Sequence, residues 1–409
     1  MKKTALKQYA KLIAKVGGNV HRGQNVELIA DVSQEELANY IMVECYKLGA
    51  KRVDVRWTSD KTARTSYKKE SFKSLSHLYP YQLAKQQYLV DENPVMIYIE
   101  SSDPDAFKGV NQGKIANVRK AQYPIIKPFR DKRENKYQWV IAGAASPSWA
   151  KKVFPTLSKR KATEALWDAI LKTSRCDNDD PIKAWDEHNK DLAKRSSYLN
   201  SLNLDYLHYM SKNGTDFKVW LLPNANWLAG GETTLGSHIF FNPNIPSEEC
   251  FTSPKKGKAE GIVYSTKPLS YQGELIEDFS IRFENGKAVE VHAKKGEELL
   301  KHMISMDENA PYLGECALVP YDSPINNTGI LFYNTLYDEN AACHLALGMG
   351  FTNCIKDYEK YSQKELNEMG INDASIHVDF MIGSKDLNIV GYTRDGKKVQ
   401  IFKDGNWAF

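Results

Sequence analysis

The segment Ile376-His377-Val378-Asp379-Phe380-Met381-Ile382-Gly383 sets an imidazole and a carboxylate two residues apart in an otherwise apolar run. Read as a buried strand, its period of two turns both side chains to one face. An unpaired buried charge is costly, so the pair needs a partner. That partner is either a divalent metal, or the ordinary company of a hydrogen-bonded core histidine and a salt-bridged aspartate. His344 lies in Asn340-Ala341-Ala342-Cys343-His344-Leu345-Ala346-Leu347-Gly348, just after Asp338 and Glu339; the small and apolar residues predict the start of a buried helix. Glu249 sits in a proline-led turn, Ile245-Pro246-Ser247-Glu248-Glu249-Cys250, and Glu315 is a lone carboxylate in the apolar stretch Leu313–Pro320. Each alone is more often a satisfied structural acid than a ligand. Together they are harder to dismiss. The chain has no H-E-x-x-H, G-x-S-x-G or P-loop pattern to compete with them.

The elements around these residues fall into two textures. In the first hundred residues, Leu6, Tyr9, Leu12, Ile13 and Val16 recur at helical spacing before Gly17-Gly18. Val26–Ala30, Arg52–Trp57 and Val95–Ile99 read as strands. Ser33 and Glu36 form a capping box that opens a helix through Leu37, Ile41, Cys45 and Leu48. This β-α-β succession predicts a parallel sheet. Without G-x-G-x-x-G at its first turn, no dinucleotide site is indicated. From Ser146-Pro147-Ser148 to Leu207 the pattern is mainly helical. Beyond Asp216, short strands alternate with Gly, Pro and Asn turns: Phe217–Leu222, His238–Phe241, Ile262–Tyr264, and Phe279–Phe283 before Asn285-Gly286. The expected architecture is therefore α/β plus α+β in two domains. Residues 1–190 form an N-terminal α/β domain with a helical connector, and residues 191–409 a metal-binding, catalytic α+β domain.

A chain of 409 residues, 42% of them hydrophobic, can bury two or three cores. No apolar run approaches the roughly 20 residues of a bilayer crossing. After the basic Met1-Lys2-Lys3-Thr4, Lys7, Lys11 and Lys15 interrupt any signal-peptide core. The six scattered cysteines form no C-x-x-C pair and suit a reducing compartment. A cytoplasmic protein without membrane association is expected. Residues 1–200 carry 36 Lys+Arg against 23 Asp+Glu, and residues 201–409 carry 19 against 28. No nucleic-acid motif accompanies the basic half, so solvated helix faces rather than nucleic-acid binding are expected. The acidic half can gather carboxylates around divalent cations.

Across Asn244–Pro254, Leu313–Pro320, Asn334–Gly348 and Ile376–Gly383, in order and over essentially the whole chain, the sequence resembles the thermophilic-aminopeptidase family of metallopeptidases, the aminopeptidase T, AmpS and PepS type. The resemblance implies a two-domain, homodimeric, broad-specificity aminopeptidase that acts on peptides with a free N-terminus through two divalent metals per chain. It implies Glu249, Glu315, Glu339, His344, His377 and Asp379 as ligands, with Glu315 or Asp379 bridging and Glu339 either a ligand or the catalytic proton acceptor. Zn, Co, Mn or Mg would suit such donors. Members of this type carry a tyrosine seven residues after the helix histidine, where this chain has Phe351. If that hydroxyl serves the oxyanion, Tyr337 and Tyr333 are candidate substitutes, and a metal-stabilised peptide-binding relative with weak or lost turnover is the alternative function.

Overall fold

A computed structural model describes residues 3–271 and 273–409; Met1 and Lys2 of the basic N-terminal stretch lie outside the described residues. The chain divides into two compact units, Met1–Glu187 with Gly231–Pro246, and His188–Gly230 with Ser247–Phe409. The division falls inside the helix Pro181–Ser201. Residues 231–246, expected from sequence in the second domain, belong to the first unit. There Asn244–Ile245 pairs in parallel with Ile141–Ala142 and adds an edge strand.

The first unit is built on a five-stranded parallel sheet in the order Asn244–Ile245, Trp139–Gly143, Val95–Glu100, Asn25–Asp31, Arg52–Thr58. The predicted β-α-β succession is present, and the strand interiors are largely apolar on both faces, as helix-covered parallel strands require, with the buried Glu27 paired to Lys85 as the exception. The capping box is not at Ser33. Asp31 accepts from Ser33 N and starts a single 3₁₀ turn over Val32–Gln34, and the helix proper is Glu35–Lys47. Ser146 does cap its helix, accepting from Trp149 N at 3.2 Å. Helices at Asp60–Lys69, Pro80–Glu92 and Gln112–Arg133 are not expected from sequence: the first is amphipathic but strongly polar with no buried residue, and the other two are weakly periodic, the last with Pro124 and Pro128 inside it. The strand expected over His238–Phe241 shrinks to Phe240–Phe241, because His238 stands in the left-handed region at φ 53°.

The second unit holds two antiparallel sheets, as the strand-and-turn texture indicates. The larger has nine strands, among them Glu274–Glu284 and Lys287–Lys295, joined at Asn285-Gly286, where both residues have positive φ. The smaller has five, in the order His377–Met381, His344–Gly348, Leu313–Leu318, Cys250–Thr252, Leu228–Ala229. One apolar core, including Tyr209, Phe217, Phe279 and Phe380, packs both. All six cysteines are free and buried. Among the described residues, no helix is long and apolar enough to cross a membrane.

Candidate metal centre

The smaller sheet builds the site through its register. His344 begins a strand, not the helix that its small and apolar neighbours suggested; the helix is the preceding turn-and-a-half, Thr335–Glu339. A short run of buried apolar residues cannot separate the two by pattern alone. In the sheet, Ala346 pairs with Glu315 on one side and with Asp379 on the other, while Gly348 pairs with His377 and Ala317 with His344. Directly paired residues share a face. The ligand-type residues of neighbouring strands are therefore separated by alanine or glycine, which leave room between them. Gly348 is held at φ +104°, and a Cβ there would meet the Ile376 carbonyl oxygen at 2.0 Å. Glu249 enters beside them as the residue just before Cys250–Thr252, whose Cys250 pairs with Leu318.

Two triads result, each with its donor atoms within 4.8 Å of one another: Glu249, Glu315 and His344, and Glu315, His377 and Asp379. Glu315 belongs to both. His344 Nε2 lies 3.1 Å from Glu249, and His377 Nε2 lies 3.1 Å from Glu315 and 3.2 Å from Asp379. The other ring nitrogens are engaged by backbone. His344 Nδ1 is 3.0 Å from the Ala342 carbonyl and His377 Nδ1 is 2.7 Å from that of Met349, each nitrogen donating. These bonds set the tautomer and present Nε2 to the carboxylates, as metal-binding imidazoles are presented. Buried His344 Nε2 and Asp379 Oδ1 face Glu249 and His377 at ion-pair distance without hydrogen-bond geometry. Once His344 gives up its Nε2 proton, each atom offers a lone pair into a triad, and a divalent cation fits them.

The electrostatics agree. Burial pushes the Glu315 carboxyl up to about 7, with Glu249 and Asp379 adding to it against His377. Burial opposes charge on His344, but Glu249, Glu315 and Asp379 outweigh it and raise the imidazole to about 10. His377 is likewise raised, against burial, by Asp379 and Glu315. Asp379 goes down, His377 and His344 overcoming the burial. Taken as protein groups alone, so many crowded carboxylates stay together only by retaining protons that a metal would displace.

Glu339 is beside the triads but in neither of them. Its carboxyl is raised well above the ordinary range by burial, then by Asp379 and Glu249, and Oε1 accepts from Asn340 Nδ2 at 3.3 Å. Phe351 lies with its ring 4.9 Å from that of His377 and 5.7 Å from that of Phe251. Tyr337 is fully buried and stacked on Phe332, a packing position rather than one that faces a substrate. Tyr333 sits at φ 56° in a loop gathered by the buried Asp338 carboxylate, which accepts from Phe332 N at 2.8 Å and Asn334 N at 3.0 Å. Burial pushes Asp338 up to about 7 despite those bonds. Neither Asp338 nor Asn340 is marked by the sequence as a functional residue. The one signal that could have found them is their position on either side of Glu339.

A strand face presenting carboxylates and imidazoles around one shared glutamate defines a class, the hydrolytic metal centres of peptidases and related enzymes. The chain belongs to the family of thermophilic metalloproteases (M29), whose sequence profile matches residues 2–407. It is 41% identical over 405 residues to Aminopeptidase AmpS of Bacillus subtilis, covering 99% of this chain and 98% of that protein. It is 35% identical over 407 residues to Aminopeptidase T of Thermus thermophilus, covering 99% of each. The solved structure of wild-type AmpT from Thermus thermophilus matches with a TM-score of 0.90 at 34% identity, covering 100% of both chains. The two-part α/β and α+β class stands on that match.

Proposed function

We propose that this chain is a metal-dependent aminopeptidase that removes N-terminal residues from peptides at two divalent ions per chain, held by Glu249, Glu315, His344, His377 and Asp379. The observation that carries the reading is Glu315 standing in both triads, where it suits a bridging role. When bound, such ions polarise a carbonyl and lower the pKa of water. Glu339, outside both triads, is the proton acceptor. Lying beside Asp379 and Glu249 but outside the donor clusters, it is placed to take a proton from the attacking water and pass it to the leaving amine. Glu249 and His344 form one side of the centre and His377 and Asp379 the other, with His377 the more accessible imidazole. The relatives' names support peptide substrates. They lend nothing to the alternative of a peptide-binding protein without turnover. The finer expectations, a free substrate N-terminus, a homodimer and a cytoplasmic location, rest on the family resemblance. Light scattering of the purified protein tests the dimer.

The decisive experiment pairs metal analysis with hydrolysis of peptides carrying free or acetylated N-termini, before and after chelation. About two ions per chain, cleavage of the free peptides alone, and loss of activity on chelation with recovery on re-addition are expected. Equal cleavage of blocked peptides, or activity indifferent to chelation, overturns the reading.

A further inference from the structure

Asn340 is 0% exposed and its carboxamide reaches two sides of the centre. Oδ1 accepts from the backbone N–H of Glu248 at 2.7 Å, one residue before Glu249. Nδ2 donates to the Leu336 carbonyl at 2.9 Å and to Glu339 Oε1 at 3.3 Å. Its own carbonyl accepts from Ser323 Oγ at 2.8 Å, which anchors the residue from behind. The amide orientation follows from its partners. Reversed, it would set Oδ1 against a carbonyl and a carboxylate, both acceptors, and Nδ2 against a backbone N–H. Asparagine is thus the side chain that joins a donor on one segment to acceptors on another.

The geometry points to Asn340 as a positioning residue. It ties the Glu339 carboxylate to the segment that delivers Glu249, so that the proton acceptor and the metal ligand keep one mutual placement. Glu339 also hydrogen-bonds Asp379, so Asn340 supplies the restraint from the Glu249 side; a displacement of about 1 Å in a reacting group costs on the order of a hundredfold. The 3.3 Å contact is long for N–H···O, while the bonds to Glu248 N–H and the Leu336 carbonyl are of ordinary length and fix the carboxamide plane. This inference rests on Glu339 being the proton acceptor.

The test compares Asn340→Asp, Asn340→Ser, Glu339→Gln and the double variant Glu339→Gln with Asn340→Asp, reading metal content, thermal unfolding, kcat and KM. Asn340→Asp keeps an acceptor for Glu248 N–H and loses the donor to Glu339. A fall in kcat of roughly tenfold to a hundredfold, with KM within about twofold and metal content unchanged, is expected for the Asn340 variants. In the Glu339→Gln background Asn340→Asp should add nothing, which a merely structural role would not produce. Wild-type kcat in Asn340→Asp beside an inactive Glu339→Gln overturns the positioning role alone. Full activity of Glu339→Gln overturns the reading of Glu339 and this inference with it. Multiplicative losses in the double variant, or loss of metal or of the fold in both Asn340 variants, make Asn340 a structural residue and overturn the role.

Discussion

The inner and outer triads share Glu315 yet meet solvent differently. In the inner one, the His344 side chain is 1% exposed and its carboxylate partner Glu249 9%. In the outer one the carboxylate Asp379 is as buried, at 8%, and the difference lies in the imidazole: the His377 side chain is 22% exposed and lies beside the half-buried Phe351 ring. The His344 ring is fixed by a carbonyl two residues before it, in the bend that leads into its strand, whereas His377 depends on Met349 just past the neighbouring strand. Under the proposed two-ion reading, the His344 triad would hold an ion away from solvent and the His377 triad would hold one beside the more accessible imidazole, with Glu315 common to both.

The largest effect is expected where the halves join. Glu315→Ala removes a ligand from both triads and should strip both ions and abolish turnover, beyond the roughly 10–100-fold cost of disturbing an outer-shell partner. His377→Ala should retain about one ion per chain, bound at the inner triad, and His344→Ala should lose it. Metal analysis of the three variants decides this. If His344→Ala and His377→Ala keep the same ions, the contrast between the halves is wrong.

An intermediate effect is expected from pH. In chelated protein the Glu315 carboxyl, raised from 4.5 to about 7, stabilises the fold below its ordinary value, and that contribution is lost as pH rises toward about 7. His344, raised from 6.5 to about 10, contributes fully below 6.5 and loses that contribution as pH rises through about 10. Metal replaces these protons. The gain in Tm on adding metal should therefore be larger at about pH 8 than at about pH 5, with protons released on binding near neutrality. Calorimetry in buffers of different ionisation enthalpy reads the release. A gain that shrinks as pH rises would contradict the proton-filled centre.

The smallest effect is expected at the open half. Phe351→Tyr adds a hydroxyl to the ring beside His377 and should raise kcat with little change in KM. An oxyanion donor is typically worth about a hundredfold to a thousandfold, but the loop has settled around phenylalanine, so a gain below roughly tenfold is expected. Unchanged or lower kcat with intact metal content would remove position 351 from the oxyanion side. Tyr333→Phe is then the next variant to measure, since Tyr337 is packed away.

The pairing of His377 with Asp379 was legible because a strand's period of two is a local property, written in a few consecutive residues. So were the parallel first sheet and the hairpin at Asn285-Gly286, where apolar runs and turn residues act on their immediate neighbours. Family resemblance supplied the six site positions. The helix assigned to His344 failed because a fully buried strand and a buried helix start look alike in a run of small apolar residues. What only the tertiary structure decided is which of those six residues share donor distance. Strand register brings Glu315 and Asp379 to either side of Ala346, while the helix end before His344 leaves Glu339 outside both triads and lets Asn340 link its own neighbour Glu339 to Glu248, 92 residues away. Register depends on hydrogen bonds between strands far apart in the chain, and no local pattern encodes a partner's position.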